Sequence, residues 1–210
     1  MLRALISLFT ALLVAIAIAA AVVGLGDSPP STSTAIGPID RLQDAANRAA
    51  TALDETQRRA TEAVAASVAP SLAGWIKAAR DRALTVARPI PPDLRARLQG
   101  YFSADVLDTV RFRVGWDDGS RTEARVFRML ATRAVTLDSV IVFRDEQIAG
   151  DPFIWAHELA HVQQFGQWGV EDFAARYIRD HRLIEREAWD VASRYKMWAL
   201  ENGGLTSGLE

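Results

Sequence analysis

The sequence predicts an α+β fold in which a short β-sheet packs on a helix that carries two histidines. Two stretches predict the sheet: 110–114 alternates apolar and basic residues, and 134–143 is rich in β-branched residues. Asp151-Pro152 is typical of a helix start, with an N-cap followed by proline at the first helical position. A further helix at 182–201 carries apolar residues at helical spacing, so helices and strands lie in separate parts of the chain.

Composition limits the classes of function. The 210 residues suffice for one modest domain with an appendage. With 24 Lys and Arg against 26 Asp and Glu, the chain has no basic excess, so we expect no nucleic-acid partner. Because there are no cysteines, disulfides, thiolate metal sites and a thiol nucleophile are excluded. Any metal site must therefore use His, Asp or Glu.

The first 26 residues are predicted to be a transmembrane helix or a signal peptide. Arg3 is their only charged side chain, and the uncharged run 4–26 is long enough to cross a bilayer. Small residues at 17–21 also offer cleavage patterns of a signal peptide. Arg3 favours a cytoplasmic amino terminus, so we expect the rest of the chain to be exported, either anchored to the membrane or secreted after cleavage.

Two segments of low apolar content follow. Residues 27–38 are rich in Pro, Ser and Thr, which predicts a linker. Residues 39–69 form an Ala-rich pattern with a thin apolar stripe, typical of a solvated spacer helix, with a protein-binding helix as the alternative. We expect Pro70 to interrupt this helix and a second helical piece to follow at 71–86. The whole spacer is 39–87.

The stiff segment 88–92 marks the start of the main domain, which we place at 88–203, with a polar tail at 204–210. Within it we expect a short helix at 93–101. The residues 134–143 predict either a hairpin or one bent strand, and 144–150 predict a polar loop.

The sequence His157-Glu158-Leu159-Ala160-His161 is an HExxH motif in the helix that starts at Asp151. Two histidines four residues apart on a helix share one face and can bind one metal ion. Zinc in catalytic sites takes three protein ligands and leaves one position for a water molecule, whose pKa it lowers. Glu158 lies next to this face, so it is the candidate general base.

The third metal ligand must come from another element. Gln164 and Gln167 stand where the extended metzincin motif requires Gly and His, so that pattern is rejected. On the helix 182–201, the position of Glu185 lies roughly 60° from the centre of the apolar face, closer than Glu187 or Asp190. Glu185 is therefore the predicted ligand. The other candidates are His181, which lies one turn earlier, then Glu187 and Asp190.

Three further groups of side chains carry predictions. Tyr177 is a candidate donor to a tetrahedral oxyanion, with packing between helices as the alternative. Gln163 and Gln164 are expected to cap or solvate the end of the motif helix. Four tryptophans are expected in the core: Trp155, Trp168, Trp189 and Trp198.

Several stretches resemble a bacterial domain of unknown function that is described as a zinc metallopeptidase and occurs in secreted toxins and contractile injection system clusters. They are 90–95 (IPPDLR), 134–137 (AVTL), 140–143 (VIVF) and 157–164 (HELAHVQQ). Residues 185–188 (EREA) are also similar to the ligand helix of gluzincin membrane proteases, in which the first Glu binds zinc; Trp189 stands where those proteases have Asp. The resemblance implies a small gluzincin-like fold in which an edge strand, with 134–143 as the candidate, binds an extended peptide.

The sequence thus favours a membrane-anchored zinc metallopeptidase acting on peptides or proteins. Zinc would be held by His157, His161 and Glu185, with Glu158 as the general base and Tyr177 as an auxiliary donor. A non-catalytic, metal-stabilised interaction domain is the second class. A third is a tethered scaffold in which the helix 39–69 binds a protein partner.

Overall fold

The structure, a computed structural model, describes residues 38–115 and 133–202. The predicted membrane segment 1–26, most of the linker and the polar tail lie outside these ranges. No helix in the described part of the chain is both long and apolar enough to span a bilayer. The chain divides into two units after Val68, and the elements from Ala69 onwards form the unit that contains the HExxH motif.

Helix α1 runs from Pro38 to Leu84 without interruption, so the predicted break at Pro70 is wrong. A proline in a helix removes one hydrogen bond, the one that the carbonyl of Ala66 would accept. Ala66 is exposed, so water can solvate this carbonyl. The Ala-rich flanks, which favour helix strongly, then continue it past the proline.

A four-stranded sheet forms the other layer, with the order β1-β2-β4-β3. β1 (Arg88–Pro89) is antiparallel to β2 (Arg111–Val114), β2 is parallel to β4 (Val140–Phe143), and β4 is antiparallel to β3 (Ala134–Leu137). Of the two predictions for 134–143, the hairpin is therefore confirmed. Among the strands that the structure describes, β3 is an edge of the sheet. The α+β class and the short sheet are confirmed; the membrane helix stays a prediction.

The turn between β3 and β4 is held by an ion pair with α1. Asp138 adopts a positive φ of 58°, which Asp tolerates better than most residues and which suits a two-residue hairpin turn. Its carboxylate accepts a hydrogen bond of 2.7 Å from Arg80. One turn earlier on α1, Lys77 pairs with Glu171. Helix α1 thus fixes both the β-hairpin and the segment that begins after Gly169.

Three short helices lie in the connections that the structure describes. α2 (Pro92–Leu98) starts as expected but ends before residue 101, and α3 (Ala104–Thr109) is capped by Ser103. α4 (Glu146–Ala149) lies in the segment predicted as a polar loop. Asp145 caps α4 through a hydrogen bond of 2.9 Å from the backbone N–H of Ile148. A helix of four residues is too short to produce a recognisable periodicity, so the sequence does not predict it.

The last helix, α5 (Pro152–Glu201), carries the motif and has two breaks. Its predicted start is confirmed, because the Asp151 carboxylate accepts a hydrogen bond of 2.9 Å from the backbone N–H of Phe153. Non-helical backbone at Gly169 and Asp180 divides α5 into three segments: α5a (152–168), α5b (170–179) and α5c (181–201). Asp180 caps α5c by accepting from the N–H of Leu183 at 3.0 Å.

The core lies between the sheet and α5a, and it fixes the motif helix. Trp155 is fully buried and packs edge-on against Phe112, with ring centroids 5.2 Å apart, and on Phe143 at 4.7 Å. Its indole N–H donates to the carbonyl of Ala149. The prediction of a core tryptophan is confirmed for Trp155 and is wrong for Trp189, whose surface is 39% exposed.

Gly169 provides a test of the first break. Its φ of 77° and ψ of 166° lie in a region that is nearly exclusive to glycine, so we expect Gly169→Ala to destabilise the protein by about 1–3 kcal/mol. Gly166, three residues earlier, is helical and has open space around it, so Gly166→Ala should stabilise by about 0.5–1 kcal/mol. Urea unfolding of both variants measures the difference, and equal effects would contradict the role of Gly169.

Candidate metal centre

Helix α5a places the two histidines of the motif side by side in the interior. The Nε2 atoms of His157 and His161 are 3.2 Å apart, and each residue is only 6% exposed. The rings are perpendicular, with an interplanar angle of 88°. This arrangement follows from the four-residue spacing, which stacks the side chains on one helical face, and from the core packing of the neighbouring residues Trp155 and Leu159.

Glu185 reaches the two histidines from α5c. Its Oε2 lies 3.3 Å from Nε2 of His157, and its Oε1 lies 3.7 Å from Nε2 of His161. The two breaks in α5 make this approach possible because they let the chain return to α5a. The fold thus brings to the motif the acidic residue, Glu185, that its position near the apolar face of the helix predicts.

The three side chains fit the donor set of a zinc site. With zinc–ligand bonds of about 2.0–2.1 Å, neighbouring ligand atoms of a tetrahedron are about 3.3 Å apart. The two Nε2 atoms are 3.2 Å apart, and the carboxylate approaches them to 3.3 and 3.7 Å through its two different oxygens. Within the described ranges, His157, His161 and Glu185 are the one group of three or more potential ligands that converges in this way. His181, Glu187 and Asp190 do not belong to this group.

The opposite ring nitrogens of the two histidines have different environments. Nδ1 of His161 donates a hydrogen bond of 2.8 Å to Oε1 of Gln164. Nδ1 of His157 is buried and has no hydrogen-bond partner among the described residues. Trp189 packs on the His157 ring instead, with ring centroids 4.1 Å apart. Gln164 is buried beside the ligand, so the expectation that it caps or solvates the helix end is wrong.

Glu158 is buried beside this group and is held by the sheet. Its Oε2 accepts a hydrogen bond of 2.7 Å from the Thr136 hydroxyl on β3. Burial raises the pKa of the Glu158 carboxyl and outweighs the opposing effects of His161, His157 and the Thr136 hydrogen bond. A carboxylate with a raised pKa is a better proton acceptor near neutral pH than an exposed one.

Charges within the group shift the pKa values of two ligands in opposite directions. Burial alone would raise the pKa of Glu185, but the nearby rings of His157 and His161 outweigh burial, and the pKa lies well below its usual range. Burial lowers the pKa of His161, but the neighbouring carboxylates of Glu185 and Glu158 raise it by a larger amount, so its net pKa is raised. The pocket therefore favours positive charge at its centre.

Tyr177 lies on α5b at the same pocket. Its hydroxyl is 3.4 Å from Oε1 of Glu185, to which it donates. Burial, and then the charge of Glu185, raise the Tyr177 pKa, so the hydroxyl stays protonated and remains a donor. His181 lies nearby, with its ring 6.0 Å from that of Tyr177. The structure thus brings all five residues predicted for the site together: His157, Glu158, His161, Tyr177 and Glu185.

Three residues at the site were not assigned to it from the sequence. Thr136 contacts Glu158, Gln164 contacts His161, and Trp189 covers His157. The alternation of 134–137 could have placed Thr136 on the buried face of its strand. Gln164 follows His161 at the helical spacing of three, which puts it on the same side of the helix.

Metal binding tests the ligand set. We expect the full chain to bind one zinc ion, and we expect His157→Ala, His161→Ala or Glu185→Gln to weaken zinc binding by more than about 100-fold, because each removes a donor atom. His181→Ala is the matched control and should leave the affinity unchanged. Competition with a chromophoric chelator measures each affinity. If His181→Ala lowers the zinc affinity as much as Glu185→Gln does, the assignment of Glu185 as the third ligand is wrong.

Comparison with known proteins relates part of the chain to a family model. Residues 89–169 match the family model of the eCIS core domain, whereas no curated protein and no solved structure matches the chain. The matched part runs from β1 to the break at Gly169, so it includes the HExxH motif but neither Tyr177 nor Glu185. The resemblance to a domain of contractile injection system clusters is confirmed in this coarser form, and the metallopeptidase activity stays a prediction. Residues 89–169 are thereby linked to extracellular contractile injection systems.

Proposed function

We propose that the domain is a zinc-dependent metallopeptidase that hydrolyses peptide bonds. The observation that carries the proposal is the position of a buried carboxylate, Glu158, beside a convergent set of three ligands. Structural zinc sites are usually closed by four protein ligands, whereas catalytic sites use three and leave one position open. A set of three with a neighbouring general base therefore favours catalysis.

The residues of the site have separate roles in the proposed hydrolysis. Zinc held by His157, His161 and Glu185 would supply Lewis-acid activation of a water molecule. Glu158 accepts a proton from the attacking water as the water oxygen forms a bond to the carbonyl carbon of the peptide. Glu158 then delivers this proton to the leaving amine nitrogen as the C–N bond breaks. The hydroxyl of Tyr177, which stays protonated, supports Glu185 and can turn to the developing oxyanion.

The edge of β3, which no strand of the described residues 38–115 and 133–202 covers, supports a peptide as the substrate. Leu137 and Val140 flank the two-residue turn as a hydrogen-bonded pair, so Leu137 and Val135 direct their backbone groups to β4. The backbone groups of Ala134 and Thr136 therefore point to the free edge. An extended peptide could add there by backbone pairing, next to the strand residue that contacts Glu158.

The setting of this activity is the exported side of a membrane. The apolar run 4–26 with Arg3 before it supports export of the domain, either anchored or after cleavage. The link of residues 89–169 to extracellular contractile injection systems supports the same direction.

Glu158→Gln tests the activity. We expect cleavage of a peptide library, followed by mass spectrometry, to fall by about 10²–10⁴-fold because the general base is lost. The zinc affinity should stay within a few-fold of the wild-type value, since Glu158 is not a ligand. Asp190→Asn, which changes an exposed carboxylate on the same chain, should affect neither measurement. An active Glu158→Gln protein would refute the proposed mechanism.

A second candidate function is a non-catalytic domain that zinc stabilises for interaction with another protein. The low exposure of His157, Glu158 and His161, each 6% or less, favours it, because a substrate must reach these residues. The two candidate functions predict different results for peptide cleavage by the wild-type protein. Stoichiometric zinc without any cleavage, and no effect of Glu158→Gln on partner binding, would support the interaction domain.

The contact of Thr136 with Glu158 gives a finer prediction. Thr136→Val removes the hydroxyl at nearly constant volume, and a hydrogen bond to a charged group is typically worth 1.5–3 kcal/mol, so we expect kcat to fall by about 10-fold or more. KM should change little, because the hydroxyl positions Glu158 and does not bind substrate. Thr136→Ser, which restores the hydroxyl, should recover most of kcat. Equal losses in both variants would indicate a packing effect only.

A further inference from the structure

We infer that Gln164 and Glu187 are positioning residues that hold His161 in the tautomer able to bind a metal through Nε2. The inference deepens the proposed function and rests on it. Gln164 lies between the two other residues: its Oε1 is 2.8 Å from Nδ1 of His161, and its Nε2 is 3.2 Å from Oε2 of Glu187. These contacts form a chain that runs from the exposed carboxylate of Glu187 to the buried ligand.

The neighbours of the amide determine its orientation. Nε2 of Gln164 faces the carboxylate of Glu187 and, at 3.4 Å, the carbonyl of Ile184. Both are acceptors only, so the NH₂ group must point to them. The amide oxygen is then directed at His161 and can only accept. A flipped amide would place its oxygen against two acceptors and its NH₂ group at the ring.

The orientation of the amide in turn determines the proton position on His161. Because Oε1 of Gln164 accepts, Nδ1 of His161 must carry the hydrogen. The neutral ring then has its lone pair on Nε2, the atom that faces Nε2 of His157 and the carboxylate of Glu185. Outer contacts of this kind orient ligating histidines and make them more basic.

The hydrogen-bonded chain through Gln164 orients only one of the two histidines, His161. In the part of the chain that the structure describes, Nδ1 of His157 has no hydrogen-bond partner, and the apolar face of Trp189 covers its ring. The orientation of His157 is therefore set by packing, whereas that of His161 is set by hydrogen bonds. Glu187 and Ile184 flank the ligand Glu185 on α5c, so one segment supplies both a ligand and the group that orients another ligand.

Zinc affinity of the full chain tests the inference without an activity assay. Gln164→Leu removes the acceptor and should weaken zinc binding by about 10–100-fold, as measured by chelator competition. Gln163→Leu changes the preceding, exposed glutamine and is the matched control, with no expected change. If Gln164→Leu binds zinc as tightly as the control does, the inference is wrong.

The double variant Gln164→Glu/Glu187→Gln separates positioning from packing. It keeps an acceptor at 164 for Nδ1 of His161 and supplies a donor at 187. Its zinc affinity should return to within about fivefold of the wild-type value or exceed it. An affinity as low as that of Gln164→Leu would show that the hydrogen bond does not matter.

The tautomer itself can be observed by long-range ¹H–¹⁵N correlation of the imidazoles in the metal-free full chain, at a pH where the rings are neutral. Wild-type His161 should carry its proton on Nδ1, and Gln164→Leu should shift the population towards Nε2. An unchanged tautomer would overturn the inference while leaving the metal site intact. Failure of the wild-type protein to bind zinc would overturn both, and zinc binding without proteolysis would refute only the enzyme.

Discussion

The structure depends on one electrostatic constraint, which is that two buried ring nitrogens and a partly buried carboxylate face each other. Two ring nitrogens and a carboxylate lie within 3.2 to 3.7 Å of one another. Such a group is costly to bury unless a positive charge lies between its members. The raised pKa of His161 and the lowered pKa of Glu185 reflect this demand, because the ring binds a proton more readily and the carboxylate keeps its negative charge beside it. A divalent cation satisfies the same demand more fully.

The rest of the unit can be understood as the support for this pocket. The core around Trp155 fixes α5a against the sheet, and the sheet brings the hydroxyl of Thr136 to Glu158. Helix α1 holds the hairpin through Arg80 and the segment α5b through Lys77. The general base is therefore tied to the edge strand. A peptide that pairs with this strand would contact the element that orients the group acting on it.

Much of this arrangement could be predicted from local patterns in the sequence. The Asp151-Pro152 start, the strand at 111–114 and the facing of Glu185 each follow from the periodicity or capping of a few neighbouring residues. The strand order with its parallel β2–β4 pair depends on contacts between distant segments, which a short pattern does not contain. The continuity of α1 through Pro70 was missed because the penalty for proline depends on whether water reaches the freed carbonyl.

The outer contacts of the site were missed for a related reason. Glutamine at 164 and tryptophan at 189 have no fixed role next to a metal ligand, and their roles depend on what the opposing helix presents. Once α5c is in position, Gln164 has only one orientation that satisfies its neighbours. Geometry therefore supplies what residue type alone does not.

The two breaks in α5 have a consequence for the order of folding. All three candidate ligands lie on one helical stretch, between residues 157 and 185, and none comes from the sheet. The chain between the ligands forms the helical segments of α5, whose hydrogen bonds are local, so the ligands come together when α5c docks on α5a. A metal ion held by these three side chains would stabilise that docking whether or not the sheet has formed, because no candidate ligand comes from the sheet.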